Sequence, residues 1–363
     1  MFRVTLLSLA ALMLCACSIG MTPITDCEVR GDIRPVCNMK TPEDIAALPD
    51  GRHLLLAHFG HMGKEPGSIS LFDTSTDELI SLFPVGADSE GPTDWGDAAC
   101  TTPPNETFGP HGTHLAQLED GSWRYLVVNH GAREAVEIFE LTHSQEQYTL
   151  SWRGCVMAAA ETLMNDVVGL TNGDVVYSKM YSGAGMISDI KTLLGFSSGE
   201  LWHWNSQTGL KSLPATRASM PNGLEISADN RYVFANMYME GEVWKVDLDS
   251  GEVVAKAPIA HADNSAWGGD GRLYIATHTG GLAETLICFG NQSVPCGGAF
   301  EIVALDPETM SSEVAFAHRG APMGVATIAV PQAGRVWMGS YAGDRLISVS
   351  DFTRNNNQIN SGE

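Results

Sequence analysis

Two histidines stand in short apolar runs flanked by glycine: His111 in GPHGTH (109–114) and His130 in YLVVNHGAREAVE (125–137). The second run carries the β-branched and aromatic residues of a strand. A neutral imidazole held on such a strand can take a proton from water, because histidine titrates near neutral pH. For a single histidine the simpler reading is a hydrogen-bonded core residue, so the pair acts together only if the fold joins the two strands. A second set has cation-site character. Glu43, Asn165, Asn222 and Asp263 each open an apolar strand, and each lies seven residues before a turn residue: Asp50, Asn172, Asp229 and Asp270 respectively.

The elements that must position these residues repeat. EDIAALPDGRHLLLAH (43–58), NDVVGLTNGDVVYSKM (165–180), NGLEISADNRYVFANM (222–237) and DNSAWGGDGRLYIATH (263–278) share one plan of strand, polar turn and second strand. A fifth copy puts Thr113 seven before Asp120, and a fainter sixth puts Ala326 seven before Ala333. Six units over the chain are roughly 50 residues each, the size of a four-stranded propeller blade. The expectation is an all-β, six-bladed propeller over 41–350, with 17–40 as a tether and 351–363 as a polar tail. A two-sheet sandwich has no reason to return the same offset so often. Helical periodicity is confined to ISDIKTLLGF (187–196).

In a propeller the first strand of each blade lines the axis, so the repeated positions converge. They hold Glu43, Thr113, Asn165, Asn222, Asp263 and Ala326, followed by Asp44, His114, Asp166, Gly223, Asn264 and Thr327. Buried carboxylates and amides without partners are costly to desolvate. A hard cation offsets that cost, and calcium accepts six to eight oxygens of this kind. Glu43 and Asp263 balance two charges, while Asn165, Asn222 and Asn264 add neutral oxygens. Magnesium would take fewer protein ligands, and zinc would want nitrogen or sulfur. Asn and Asp also cap turns, but four at one repeat offset go beyond capping.

Composition narrows the classes. A net charge of −22, from 21 basic and 43 acidic residues, argues against nucleic-acid binding, which needs clustered Lys and Arg. The start, MFRVTLLSLAALMLCACSIG, reads as an export signal over 1–16. Its Leu14–Cys17 fits a bacterial lipobox with Cys17 as the acylated residue, which implies an envelope lipoprotein held to the membrane by lipid alone. Plain secretion is the alternative. Six further cysteines suit disulfides in an exported chain. Cys288 and Cys296 bracket one short loop and are expected to pair; Cys27–Cys37 and Cys100–Cys155 follow.

In this order and spacing, TPEDIAALPDG, PHG, YLVVNH with VEIFEL, LMNDVVGL, MPNGLEIS, ADNSAW and ATH resemble the paraoxonase/arylesterase family, six-bladed propeller hydrolases distantly related to gluconolactonases. The resemblance spans about 41–348. It implies a catalytic calcium on Glu43, Asn165, Asn222, Asp263 and Asn264. It implies a structural calcium on Asp44, Asp166 and the Thr113 carbonyl. His111 and His130 match the family's histidine pair, and His278 matches a further active-site histidine placed here at the substrate. Three departures stand out: His114 replaces a serine, no cysteine follows Cys296, and the segment SGAGMISDIKTLLGFSSG (182–199) differs where the family's pocket is roofed.

The expected chemistry is hydrolysis of a small carboxylic ester, a lactone or aryl ester. Calcium would stabilise the oxyanion, His111 would take the proton from water and His130 would orient it. No phosphate-cradling loop is present. The rivals are a non-catalytic, calcium-stabilised envelope propeller and a strictosidine-synthase-like condensing propeller, which would lack the oxygen ring. Intact mass of the membrane fraction is expected to show an acylated Cys17 at the mature N-terminus; an unmodified start elsewhere would leave a secreted enzyme.

Overall fold

In the computed structural model the described residues are 23–84, 94–145, 147–182, 192, 195–290 and 292–353. The export signal and lipobox, most of the 182–199 segment with its expected helix, and the tail from 354 lie outside them. Among the described residues, twenty-four strands form six four-stranded antiparallel sheets. Blade I comprises Pro42–Ala47, His53–His58, Ser68–Asp73 and Glu78–Phe83. Blade II comprises Pro110–Gln117, Trp123–Asn129, Ala135–Ser144 and Gln147–Met157. Blades III, IV and V begin with the inner strands Thr162–Gly169, Pro221–Ile226 and Ala262–Trp267. Blade VI takes Ala326–Gln332, Arg335–Ser340 and Leu346–Ser350 from the end of the chain and Arg34–Val36 from its beginning. The segment read as a tether therefore supplies the outer strand of the last blade, pairing Arg34 with Ser348 and closing the circle.

Burial explains why these runs become strands. The second strand of blade I, His53–His58, reads HLLLAH because neighbouring blades cover both of its faces. Leu54, Leu55 and Leu56 are fully buried, each burial stabilising by about 1.5–3 kcal/mol. Outer strands keep the alternation of a half-wet sheet, as in Glu252–Pro258. Between blades VI and I, Trp337 and Phe72 pack edge to face at 5.1 Å. All three expected disulfides are present: Cys27–Cys37, Cys100–Cys155 and Cys288–Cys296. The second pins the segment that leads into His111 against the outer strand of blade II. Beside it Trp95 N–H donates to Arg153 O at 3.1 Å and Asp97 N–H to Cys155 O at 2.7 Å.

Every inner strand is interrupted at the same level. The ladder skips His111–Gly112 in blade II, Asn165–Asp166 in III, Asn222–Gly223 in IV and Asp263–Asn264 in V. It skips the single residues Glu43 in blade I and Thr327 in blade VI. A bulge bends a strand and re-aims the residues it leaves unpaired. Side chains satisfy the backbone groups freed there: Ser178 Oγ accepts from Asp166 N–H at 3.0 Å, and Thr327 Oγ1 donates to Glu43 O at 2.5 Å. The blades meet closely at this level. A Cβ on Gly223 would lie 2.3 Å from Asp263 O and 2.6 Å from Asn264 Cα. One on Gly112 would lie 2.4 Å from Asp166 Oδ1. Gly223→Ala is thus expected to cost about 1–3 kcal/mol through overpacking. Gly290→Ala, which meets nothing within 4 Å, is expected to change the melting temperature little.

Candidate active site and oxygen ring

The bulges gather the acidic and amide side chains read from the repeat. Glu43, Asp44, Asn165, Asp166, Asn222, Asp263 and Asn264 are all buried. Asp44 Oδ1 accepts from Ile45 N–H at 2.9 Å, while Oδ2 accepts from the N–H and hydroxyl of Thr113 at 2.5 and 2.9 Å. Asp166 repeats the pattern, with Val167 N–H and Leu224 N–H each at 2.7 Å. Each of these aspartates thus braces its own strand against the next blade. Glu43 is less satisfied: Asn264 Nδ2 lies 3.4 Å from Oε1, and Oε2 has no hydrogen-bond partner. The carbonyl oxygens of Asn222 and Asn264 are also buried without a donor.

Thr113 is where the repeat offset and the structure part. Blade II has two more ladder pairs between bulge and turn than blade III, so seven residues back from Asp120 falls beyond the bulge. Thr113 pairs with Val127, and His111 occupies the position held elsewhere by Asn165, Asn222 and Asp263. A histidine therefore enters the ring of oxygens. Its Nε2 lies 3.6 Å from Glu43 Oε1, and its Nδ1 lies 3.1 Å from Nε2 of His130. The ring of Phe59 covers both imidazoles, with centroids 4.9 and 5.4 Å away.

Two further residues build this pair, and neither carried a sequence signal. Asn129 Oδ1 accepts from Gly109 N–H at 3.0 Å and Gly131 N–H at 2.8 Å, clamping the two histidine-bearing segments together. Its amide is held by the fully buried Glu137, which also binds Arg133 and Trp152 Nε1. Glu134 reaches His130 Nδ1 at 2.9 Å. His278 stands across the ring, its Nε2 3.5 Å from Asp263 Oδ2. Both of its nitrogens are engaged, Nε2 with Ala326 O and Nδ1 with Tyr238 Oη, each at 3.1 Å.

His114 turns away from this face. It lines a channel of about 600 Å³ below the ring, with Leu115, Ile226, Trp267 and Ile328 among its walls. There its Nε2 lies 3.9 Å from Glu225 Oε2. The serine-to-histidine departure therefore alters the channel, not the surroundings of His111.

Electrostatics follow from burial. Desolvation pushes Asp263 up to about 8, with the charge of Asp44 adding to it. Asp44 rises to about 7 and Glu225 to about 8 for the same first cause. Glu43 is held well above the usual carboxylate range by desolvation and then by Asp44, Asp263 and Asp166. Burial moves histidines the other way: His111 falls well below its ordinary value, helped by His130, and His278 falls to about 4. Among the described residues no three His, Cys, Asp or Glu side chains are grouped to hold a metal by themselves. Any cation here would depend on the amide oxygens as well.

Six four-stranded blades closed into a ring define a six-bladed propeller, here with buried acids, amides and a histidine pair gathered at its inner strands. Residues 40–344 match the arylesterase family model, so the chain belongs to the arylesterase family. Among solved structures it is similar to a gluconolactonase from Xanthomonas campestris, at 14% identity over 91% of this chain and 93% of that one, with a TM-score of 0.50. A luciferin-regenerating enzyme aligns at 11% identity over 87% and 92%, with a TM-score of 0.53. At these identities the likeness concerns the fold. No curated protein matches the chain. Family membership makes the protein a hydrolase in the general sense.

The buried acids give a pH signature for protein stripped with a chelator. Their folded pKa values lie above the value of about 4 expected in the unfolded chain, so between the two only the folded state holds the protons. Stability is then greatest at the acidic side of that window and falls as pH rises through the folded values. His58, His114 and His278, at about 4, act oppositely, but mainly below about pH 6.5 where the unfolded chain takes up protons. Chemical denaturation of the stripped protein is expected to show stability dropping from pH 7 to about 8.5, past the values of Asp44 and Asp263. A flat profile would mean that these carboxylates are not desolvated.

Proposed function

We propose that this protein is a calcium-dependent hydrolase of carboxylic esters, a lactonase or arylesterase, working at the end of the axis where His111 meets the ring. One observation carries the reading: a histidine pair, with His111 buried and His130 half-buried, stands beside a set of buried oxygens of which three lack donors. The donor set fits a hard cation. Glu43 Oε2, Asn222 Oδ1 and Asn264 Oδ1 accept nothing from the protein, and calcium is the common biological ion that takes mixed carboxylate and amide oxygens. Glu43, Asn165, Asn222, Asp263 and Asn264 would hold the catalytic ion. Asp44, Asp166 and the Thr113 carbonyl would hold a structural one, since each aspartate keeps unused lone pairs beside its backbone donors. When bound, calcium supplies positive charge near the ester carbonyl oxygen, where negative charge develops during attack.

The chain's own groups do the proton work. Burial keeps His111 neutral at neutral pH, so its free ring nitrogen can accept a proton from water as the water oxygen bonds to the carbonyl carbon. The bond to the leaving oxygen then breaks, and that oxygen takes the proton back from His111. The balance is ester plus water to acid plus alcohol, or one hydroxy acid from a lactone. His130 orients His111, and Phe59 shields both rings from solvent. His278, with both nitrogens engaged, serves as a wall for the substrate. Export through the expected signal and a lipid on Cys17 would place this activity in the bacterial envelope, acting on small molecules.

His111→Gln is expected to lower kcat by about 10²–10⁴-fold on whichever lactone or phenyl ester is turned over. Bound calcium, measured by metal analysis, should be retained. His130→Gln should lose less. Asn222→Ala should lose both the ion and the activity. Calcium should also raise the melting temperature of the stripped protein and flatten its decline with pH. A double histidine variant with full activity and full calcium would remove the assignment of the base. A chain inactive on the whole panel, yet stabilised by calcium, would favour a ligand-binding propeller.

A further inference from the structure

Carboxylates flank the histidine pair at both ends. Glu134 lies 2.9 and 3.1 Å from His130 Nδ1, and Glu43 lies 3.6 Å from His111 Nε2. An ionised carboxylate only accepts hydrogen bonds, and a neutral imidazole has one donor and one acceptor. The two N–H bonds of the pair must therefore both point toward Glu134 or both toward Glu43. The distances decide between them. Glu134 is within hydrogen-bonding range of His130, while the gap from His111 to Glu43 exceeds it. Glu134 is also fixed from behind, because Met164 N–H donates to its Oε1 at 2.6 Å.

We infer that Glu134 is a positioning residue that sets the tautomers of both histidines. It draws the proton of His130 onto Nδ1, which leaves His130 Nε2 to accept from His111 Nδ1–H. The lone pair of His111 then sits on Nε2, the nitrogen that faces Glu43 and the ring. Without Glu134, the carboxylate of Glu43 would favour a proton on that nitrogen and remove the base. No motif marks Glu134: it lies in the short turn between Trp123–Asn129 and Ala135–Ser144.

The inference rests on the reading of His111 as the base, and the test separates the two. In Glu134→Gln, Met164 N–H should keep the side-chain oxygen, turning the amide N–H toward His130 Nδ1. That nitrogen must then accept, and the protons should shift to Nε2 of both rings. The calcium-loaded protein, labelled with 15N-histidine, gives the tautomer of each ring by NMR, with signals assigned from His111→Gln and His130→Gln. The wild type is expected to carry both protons on Nδ1, and Glu134→Gln both on Nε2. Turnover in Glu134→Gln should fall by about 100-fold or more, within the span of general-base loss, with little change in KM. Wild-type rings protonated on Nε2 would overturn the inference without any variant. An unswapped His130 in a folded Glu134→Gln, or swapped rings with full turnover, would overturn it as well. Full activity in His111→Gln would instead end the reading of the base, leaving the tautomer swap to support or refute the role of Glu134 on its own.

Discussion

Burying several carboxylates around one axis is the constraint on which the rest of this structure depends. Glu43, Asp44, Asp166 and Asp263 repel one another in a place where water cannot screen them. Fold closure forces them together, because the six inner strands pack side by side in a ring. Left alone, such a cluster holds protons to neutral pH and above, or it opens. A divalent oxygen-seeking cation is the other solution, and the orphaned acceptors of Glu43, Asn222 and Asn264 fit it. The acidic surplus of the whole chain is consistent with attraction of cations, although the local ring decides where one would stay.

The bulges turn that constraint into a site. A regular ladder would send alternate side chains into the blade interior and into the channel. The skipped residues, two in each of blades II to V and one in each of blades I and VI, instead gather at one level, and glycine at 112 and 223 lets neighbouring backbones approach there. Two kinds of carboxylate result. Asp44 and Asp166 are tied to the next blade by backbone N–H groups and act as structural links. Glu43 and Asp263 face the histidines and keep unused capacity.

Within this ring the placement of His111 is the departure on which the proposed chemistry rests. In three other blades the same position carries an oxygen side chain. Here an imidazole, kept neutral by burial, stands against Glu43 and leans on His130. Asn129 makes the arrangement rigid, since one amide holds both histidine-bearing segments. The channel beneath, with His114 and Glu225, is separated from this face by the ring itself.

Much of this was legible in the sequence. Strand–turn–strand units with polar residues at one offset specify a blade and its axial position, because strand length ties the turn to the axis. Asn165, Asn222, Asp263 and Glu43 were placed near the axis this way; spacing pointed to Cys288–Cys296, while the other two disulfides were guesses among the cysteines left over. Other features belong to tertiary structure. The two extra ladder pairs in blade II moved the ring position from Thr113 to His111, and no pattern along one strand shows how many pairs its neighbour will make. Arg34–Val36 joined blade VI because closure needs a partner for Leu346–Ser350, a pairing across more than three hundred residues. Glu134 and Asn129 came to neighbour the histidines, and Glu225 came to face His114, through distances set by the packing of different strands. Local sequence determines what a residue can do and which way its strand points; which partner stands within 3 Å of it is decided only when the ring closes.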